Sequence, residues 1–148
     1  MPGPTGAAFD GRYLWVASSG NGNSPGTVAK LKTDGTIVGS YPVGLQPWGV
    51  AFDGANIWVA NMGAGTVSKL RASDGENLGT INVNSGGVLY VAFAGENMWV
   101  SARNGLVYEL RDKDGAQLGS FSPGDEGLAF DGANIWAAGF AGSEVTKF

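Results

Sequence analysis

The chain is predicted to be all-β, a β-propeller built from about four repeats, and three observations carry that prediction. Phe followed six residues later by Trp recurs four times, as Phe9/Trp15, Phe52/Trp58, Phe93/Trp99 and Phe130/Trp136. Successive Trp residues lie 43, 41 and 37 apart, and a period near forty made of short β segments points to propeller blades rather than helical solenoids. Gly, Asn and Asp clusters punctuate every unit, and no stretch shows a convincing helical period.

The second unit shows the grammar most clearly. Residues 50–52, 57–60, 66–70 and 79–83 are rich in β-branched, aromatic and small apolar side chains, which predicts four strands. Asp53-Gly54 and Asp74-Gly75 are the turn signals between them, because Gly accepts the positive φ of a tight hairpin and Asp bonds its own backbone. The first unit runs through Phe9-Asp10-Gly11, Leu14-Trp15-Val16-Ala17, Thr27-Val28-Ala29-Lys30-Leu31 and Asp34-Gly35. The third has Phe93-Ala94-Gly95, Met98-Trp99-Val100, residues 106–110 and Asp114-Gly115. The fourth has Phe130-Asp131-Gly132, Ile135-Trp136 and Glu144-Val145-Thr146-Lys147-Phe148, which makes three strands. The repeats span approximately 6–46, 47–87, 88–124 and 125–148, within one propeller or half-propeller domain over 1–148. Residues 51–58 and 129–136 are the same octapeptide, so duplication, natural or engineered, is the simplest source of the array.

Composition agrees with a turn-dense packed β protein. There are 26 Gly and yet 43% hydrophobic residues, which separates the chain from low-complexity coil. A formal charge of −4 with nine scattered basic residues leaves no stripe to neutralise phosphates, so nucleic acid is not an expected partner. No apolar run approaches the roughly 20 residues that cross a bilayer, so no membrane partner is expected and the protein should be soluble. Met1-Pro2-Gly3-Pro4 has neither the basic start nor the apolar stretch of a secretory signal, and the compartment stays open. Zero Cys excludes disulfides and thiolate chemistry.

The segment PWGVAFDGANIWVANMGAGTVSKLRASDGENLGTINV, from Pro47 through Val83, resembles the repeat of the virginiamycin B lyase-like propellers, relatives of the YVTN and NHL repeats. The resemblance covers essentially the whole chain and implies the propeller fold. It also implies a seven-bladed, magnesium-dependent lyase that opens a cyclic lactone with a catalytic His. This chain contains no His, so the fold carries over and the activity does not. Ser-His-Asp, Cys-His and His-based zinc sites are impossible by inventory. The function expected is therefore a non-enzymatic assembly or binding scaffold without a cofactor, as a fragment, an engineered array or a recent duplication. The alternative is a magnesium-dependent lyase in which carboxylates, Glu126 or Asp125, replace the missing base.

Candidate chemistry is weighed by whether the repeats share it. Asp10, Asp53 and Asp131 recur before Gly at strand ends, and Ala94 breaks the series, so they are expected as turn formers rather than metal ligands. Asp112-Lys113-Asp114-Gly115 lacks the closing ligands of a calcium loop and reads as a solvated hairpin. The in-phase Trp and Phe residues are expected in the core. Alternation places Trp58 and Ala60 on one face of their strand and Ile57 and Val59 on the other, both faces buried between blades. Function is sought instead where the repeats disagree, in the loops between second and third strands (residues 18–26, 61–65, 102–105 and 139–143) and in the inter-blade connections. In propeller topology these open at one end of the channel, and a ligand-binding collar of Trp48, Asn61, Tyr90, Arg103, Asn104, Glu126 and Phe140 is expected there.

Closure is the remaining question. The strand count of four, four, four and three leaves no spare outer strand at the start of the chain. The array could close as a small four-bladed ring, or two chains could share a ring of about eight blades. The homodimer is favoured, because blades bury their faces only against neighbours and a half-ring would expose two apolar faces.

Overall fold

The computed structural model describes residues 3–83, 86–122, 124, 126–139 and 143–148. Four antiparallel sheets succeed one another along the chain, and no helix forms among the described residues. Blade 1 holds β1 (Pro4–Phe9), β2 (Leu14–Ser18), β3 (Pro25–Leu31) and β4 (Ile37–Leu45). Blade 2 holds β5 (Pro47–Phe52), β6 (Asn56–Asn61), β7 (Thr66–Arg71) and β8 (Asn77–Asn82), and blade 3 holds β9 (Val88–Ala94), β10 (Asn97–Ala102), β11 (Val107–Arg111) and β12 (Gln117–Phe121). Blade 4 has three strands, β13 (Leu128–Phe130), β14 (Ile135–Gly139) and β15 (Glu144–Lys147). Each sheet is a meander in chain order, and the inner strands β1, β5, β9 and β13 pack side by side in succession. This is the propeller arrangement expected of the repeats, with three complete blades and one three-stranded blade.

The hairpin glycines explain the turns. Gly54 and Gly75 sit at φ 104° and 80°, in the region that a Cβ disfavours, where Asp-Gly was expected to turn the chain.

The core lies between blades and not within them. One cluster joins Trp15, Ala17, Val28 and Val43 of blade 1 to Ile57, Val59, Leu70 and Ala72 of blade 2. The other joins Trp58, Ala60, Val67 and Val83 of blade 2 to Met98, Val100 and Leu110 of blade 3. The alternation in β6 therefore divides as expected, Trp58 and Ala60 forward and Ile57 and Val59 backward, and both sets are fully buried.

The aromatic series departs from expectation at the ends of the array. Trp15 and Trp58 are fully buried, Trp99 is half-buried against Phe121 and Phe148, and Trp136 is 38% exposed. Phe9 and Phe130 are exposed as well. The Trp lies on a blade's forward face, which the next blade covers, so Trp58 is core in the interior of the array and Trp136 is surface at its edge.

Candidate functional site

Three local devices recur in blades 1, 2 and 4, where blade 3 has Ala94, Glu109 and Tyr90 instead. In the first, the Asp between the first two strands of blades 1, 2 and 4 closes two sets of bonds at once. Oδ1 of Asp53 accepts the backbone N–H of Ala55 (2.8 Å) and Asn56 (2.6 Å), while Oδ2 accepts the Trp58 indole N–H at 2.6 Å. Asp10 does the same with Arg12, Tyr13 and Trp15, and Asp131 with Ala133, Asn134 and Trp136. The turn-forming role expected of these residues holds, and the bond to Trp is an addition that the five-residue Asp-to-Trp spacing already contained. Burial raises the Asp10 and Asp53 carboxyls, and donation from the indole and amides outweighs it and leaves both below the usual range. The Trp136 indole and the turn amides hold exposed Asp131 well below that range.

The second device is a lysine that crosses to the next blade. Registry pairs Trp15 with Lys30 and Trp58 with Lys69. Each ammonium lies over its partner ring, at 5.0 and 4.5 Å from the centroid. Lys30 Nζ then donates to the carbonyls of Ala72 (2.7 Å) and Ser73 (3.1 Å) in the β7–β8 hairpin of blade 2. Lys69 Nζ donates to the Asp112 carbonyl and lies 3.2 Å from its carboxylate in the β11–β12 hairpin of blade 3. Asp112 is thus a junction residue and not only a solvated turn. Its carboxyl is pushed up by burial and by the facing Asp53, with Lys69 opposing. Blade 3 departs from this pattern: Glu109 pairs with Trp99 and accepts from Asn97 at 2.8 Å.

The third device is close approach of the inner strands. A Cβ on Gly6 would collide with the Trp48 carbonyl oxygen, and one on Gly49 would lie 2.7 Å from the Leu89 carbonyl oxygen. Glycine at this position lets adjacent inner strands touch backbone to backbone.

The collar residues have different fates. Asn61 is fully buried; its Oδ1 accepts the Gly44 N–H at 3.0 Å, and its Nδ2 donates to Thr66 and Ser68. It therefore ties blade 1 to blade 2 and is withdrawn from any ligand in this conformation. Trp48 lines a cavity of about 240 Å³ with Gln46, Met62 and residues 19–22. Arg103 and Asn104 are exposed on the β10–β11 turn, where Asn104 donates to the Tyr108 hydroxyl at 2.6 Å. Tyr90 is half-buried beside Gly49, and Glu126 is half-buried where its N–H meets the Ala138 carbonyl. Phe140 and Asp125 lie outside the described residues.

Two other clefts open at blade junctions with opposite charge. Between blades 1 and 2, about 640 Å³ is lined by Asp10, Arg12, Tyr13, Lys30 and Arg71, basic on balance. Between blades 3 and 4, about 260 Å³ is lined by Glu96, Trp99, Glu109 and Phe148. The recurrent carboxylates are committed to indole and amide donors in separate blades, and no group of three metal-binding side chains comes together among the described residues.

The two end faces of the array are the most distinctive surface. Val28, Val67 and Val107 are fully buried, whereas Val145, at the same place in blade 4, is 68% exposed beside Trp136. At the other end, Leu14 and Val16 of blade 1 are half-buried where Ile57, Val59, Met98 and Val100 are fully buried.

No protein-family model matches the chain, and no curated protein matches it. Solved structures do. The fold is similar to that of Kuenenia stuttgartiensis hydrazine synthase (TM-score 0.72, 18% identity, 93% of this chain and 42% of that one). It is also similar to two computationally designed proteins, Ika4 (TM-score 0.81, 12% identity, 100% of this chain and 91% of that one) and Ika8 (0.79, 15%, 98% and 45%). The chain thus spans less than half the length of the hydrazine synthase and Ika8 chains, and identities this low speak for the fold alone.

Proposed function

We propose that the chain is a non-enzymatic propeller scaffold that assembles through its two open blade faces and displays its loops at one end of the ring. The observation that supports this is the exposure of Val145 and Trp136 at positions that are dry in blades 1 and 2. Their face is the one that blades 1 and 2 press onto their successors. The half-covered Leu14 and Val16 belong to the face that blades 2 and 3 press onto their predecessors. The two ends are therefore complementary by repetition, and a second copy of the chain is the occupant that carries both. Such a contact is head to tail, and two copies close it into a ring of eight blades when the blade rotation matches.

Sedimentation equilibrium tests the proposal. A two-chain species, twice 15.1 kDa, is expected at micromolar concentration. A 15.1 kDa monomer that unfolds cooperatively would overturn it and assign the faces to some other cover. Open-ended polymers would overturn the two-fold closure.

A further inference from the structure

The shared ring has a register, and two unfilled contacts specify it. Gly127 stands three residues before Phe130, as Gly6 stands before Phe9 and Gly49 before Phe52. In blades 1 and 2 that glycine is pressed against the backbone of the next inner strand, whereas a Cβ on Gly127 would meet nothing within 4 Å. Gly127 also lies outside the left-handed region, so no turn geometry requires glycine there. The close-approach position is present and its neighbour is not.

Lys147 shows the same thing in charge. It pairs with Trp136 as Lys30 pairs with Trp15 and Lys69 with Trp58, and its ammonium lies 5.9 Å from the ring centroid. Lys30 and Lys69 go on to the β3–β4-type hairpin of the following blade. Glu109 takes the lysine's place in blade 3. Both interior lysines thus reach the hairpin of the blade that follows them. A lysine in blade 4 marks a four-stranded blade ahead of it, and blade 1, with its exposed hairpin at residues 32–36, is the blade with an uncovered backward face.

Resting on the two-chain ring proposed above, we infer that Lys147 of each chain donates to the hairpin carbonyl of Thr33 in the second copy, while Gly127 passes beneath the second copy's Thr5 backbone. Thr33 stands between Lys32 and Asp34 where Ala72 and Ser73 stand between Arg71 and Asp74, and Thr5 stands where Trp48 and Leu89 do. The junction repeats those that join blade 1 to blade 2 and blade 2 to blade 3.

Sedimentation of three variants beside the wild type tests the register. A Cβ at Gly127 has open space within the chain, so Gly127→Leu should keep its circular dichroism and cooperative melt, yet lose dimerisation by roughly a hundredfold or more in Kd. Lys147→Met should weaken the dimer roughly tenfold, as loss of a charged hydrogen bond does, with partial recovery in Lys147→Arg. Lys113→Met, an exposed lysine away from both end faces, should change nothing. Dimers of wild-type strength in both Gly127→Leu and Lys147→Met would overturn the register while leaving the shared ring standing. A monomeric wild type would instead remove the ring itself.

Discussion

Trp58 and Trp48 are ten residues apart and do different work. Trp58 is fully buried, its indole N–H is held by Asp53, and its ring carries the Lys69 ammonium. Trp58→Ala should cost about 3–5 kcal/mol, the usual loss for a large aromatic in a packed core. Trp48 is half-buried at the rim of a cavity, so Trp48→Ala should cost about 1 kcal/mol. Denaturant melts of the two variants measure the difference, and equal losses would place Trp48 in the core. The Asp that holds each indole also makes stability depend on pH. The Asp10 carboxyl is lower in the folded chain than in the unfolded one, so its contribution is complete above the ordinary Asp range near pH 3.9. It is lost as pH falls through the folded value, where the unfolded chain already binds the proton. Asp10→Asn should therefore lower the melting temperature at pH 7, and the gap to wild type should narrow below about pH 4. A gap that stays constant from pH 7 to pH 2.5 would mean that the carboxylate charge is not what holds Trp15.

At the scale of the element, the inner strand is the part least tolerant of added bulk. Gly49 in β5 has the Leu89 carbonyl oxygen 2.7 Å and the Tyr90 Cα 2.8 Å from where its Cβ would stand. Both are backbone atoms of β9 or its border, and neither can swing away. Gly49→Ala should destabilise the fold by about 1–3 kcal/mol through overpacking, as read from urea midpoints, while Gly127→Ala should leave the monomer's midpoint within about 0.5 kcal/mol. Similar losses at the two positions would show that Gly127 already has a neighbour within the chain. The contrast separates two glycines that occupy the same place in the repeat.

For the whole molecule, the end faces make stability a function of concentration. If the ring is shared, the melting temperature should rise with protein concentration, because association binds the folded state and not the unfolded one. Thermal melts over a hundredfold range of concentration measure this, and an invariant midpoint would count against the ring. The blades also differ in their loops and in the charge of the clefts, basic on balance between blades 1 and 2 and acidic between blades 3 and 4.

What the sequence by itself determined is the blade. Alternation in residues 57–60, the Asp-Gly turns and the Phe-to-Trp phase are local patterns, each set by the period of a strand or the φ of a hairpin, and each is readable along one stretch of chain. The division of β6 into a forward Trp58 face and a backward Ile57 face was legible for the same reason. The tertiary structure decided what happens between blades. That Asn61 is buried among Gly44, Thr66 and Ser68 rather than displayed in a collar, that Lys30 and Lys69 reach carbonyls some forty residues onward, and that Trp136 is surface while Trp58 is core are matters of which blade follows which. A repeat writes the same letters in every blade. Burial is a property of neighbours, and only the packed array shows which copies have one.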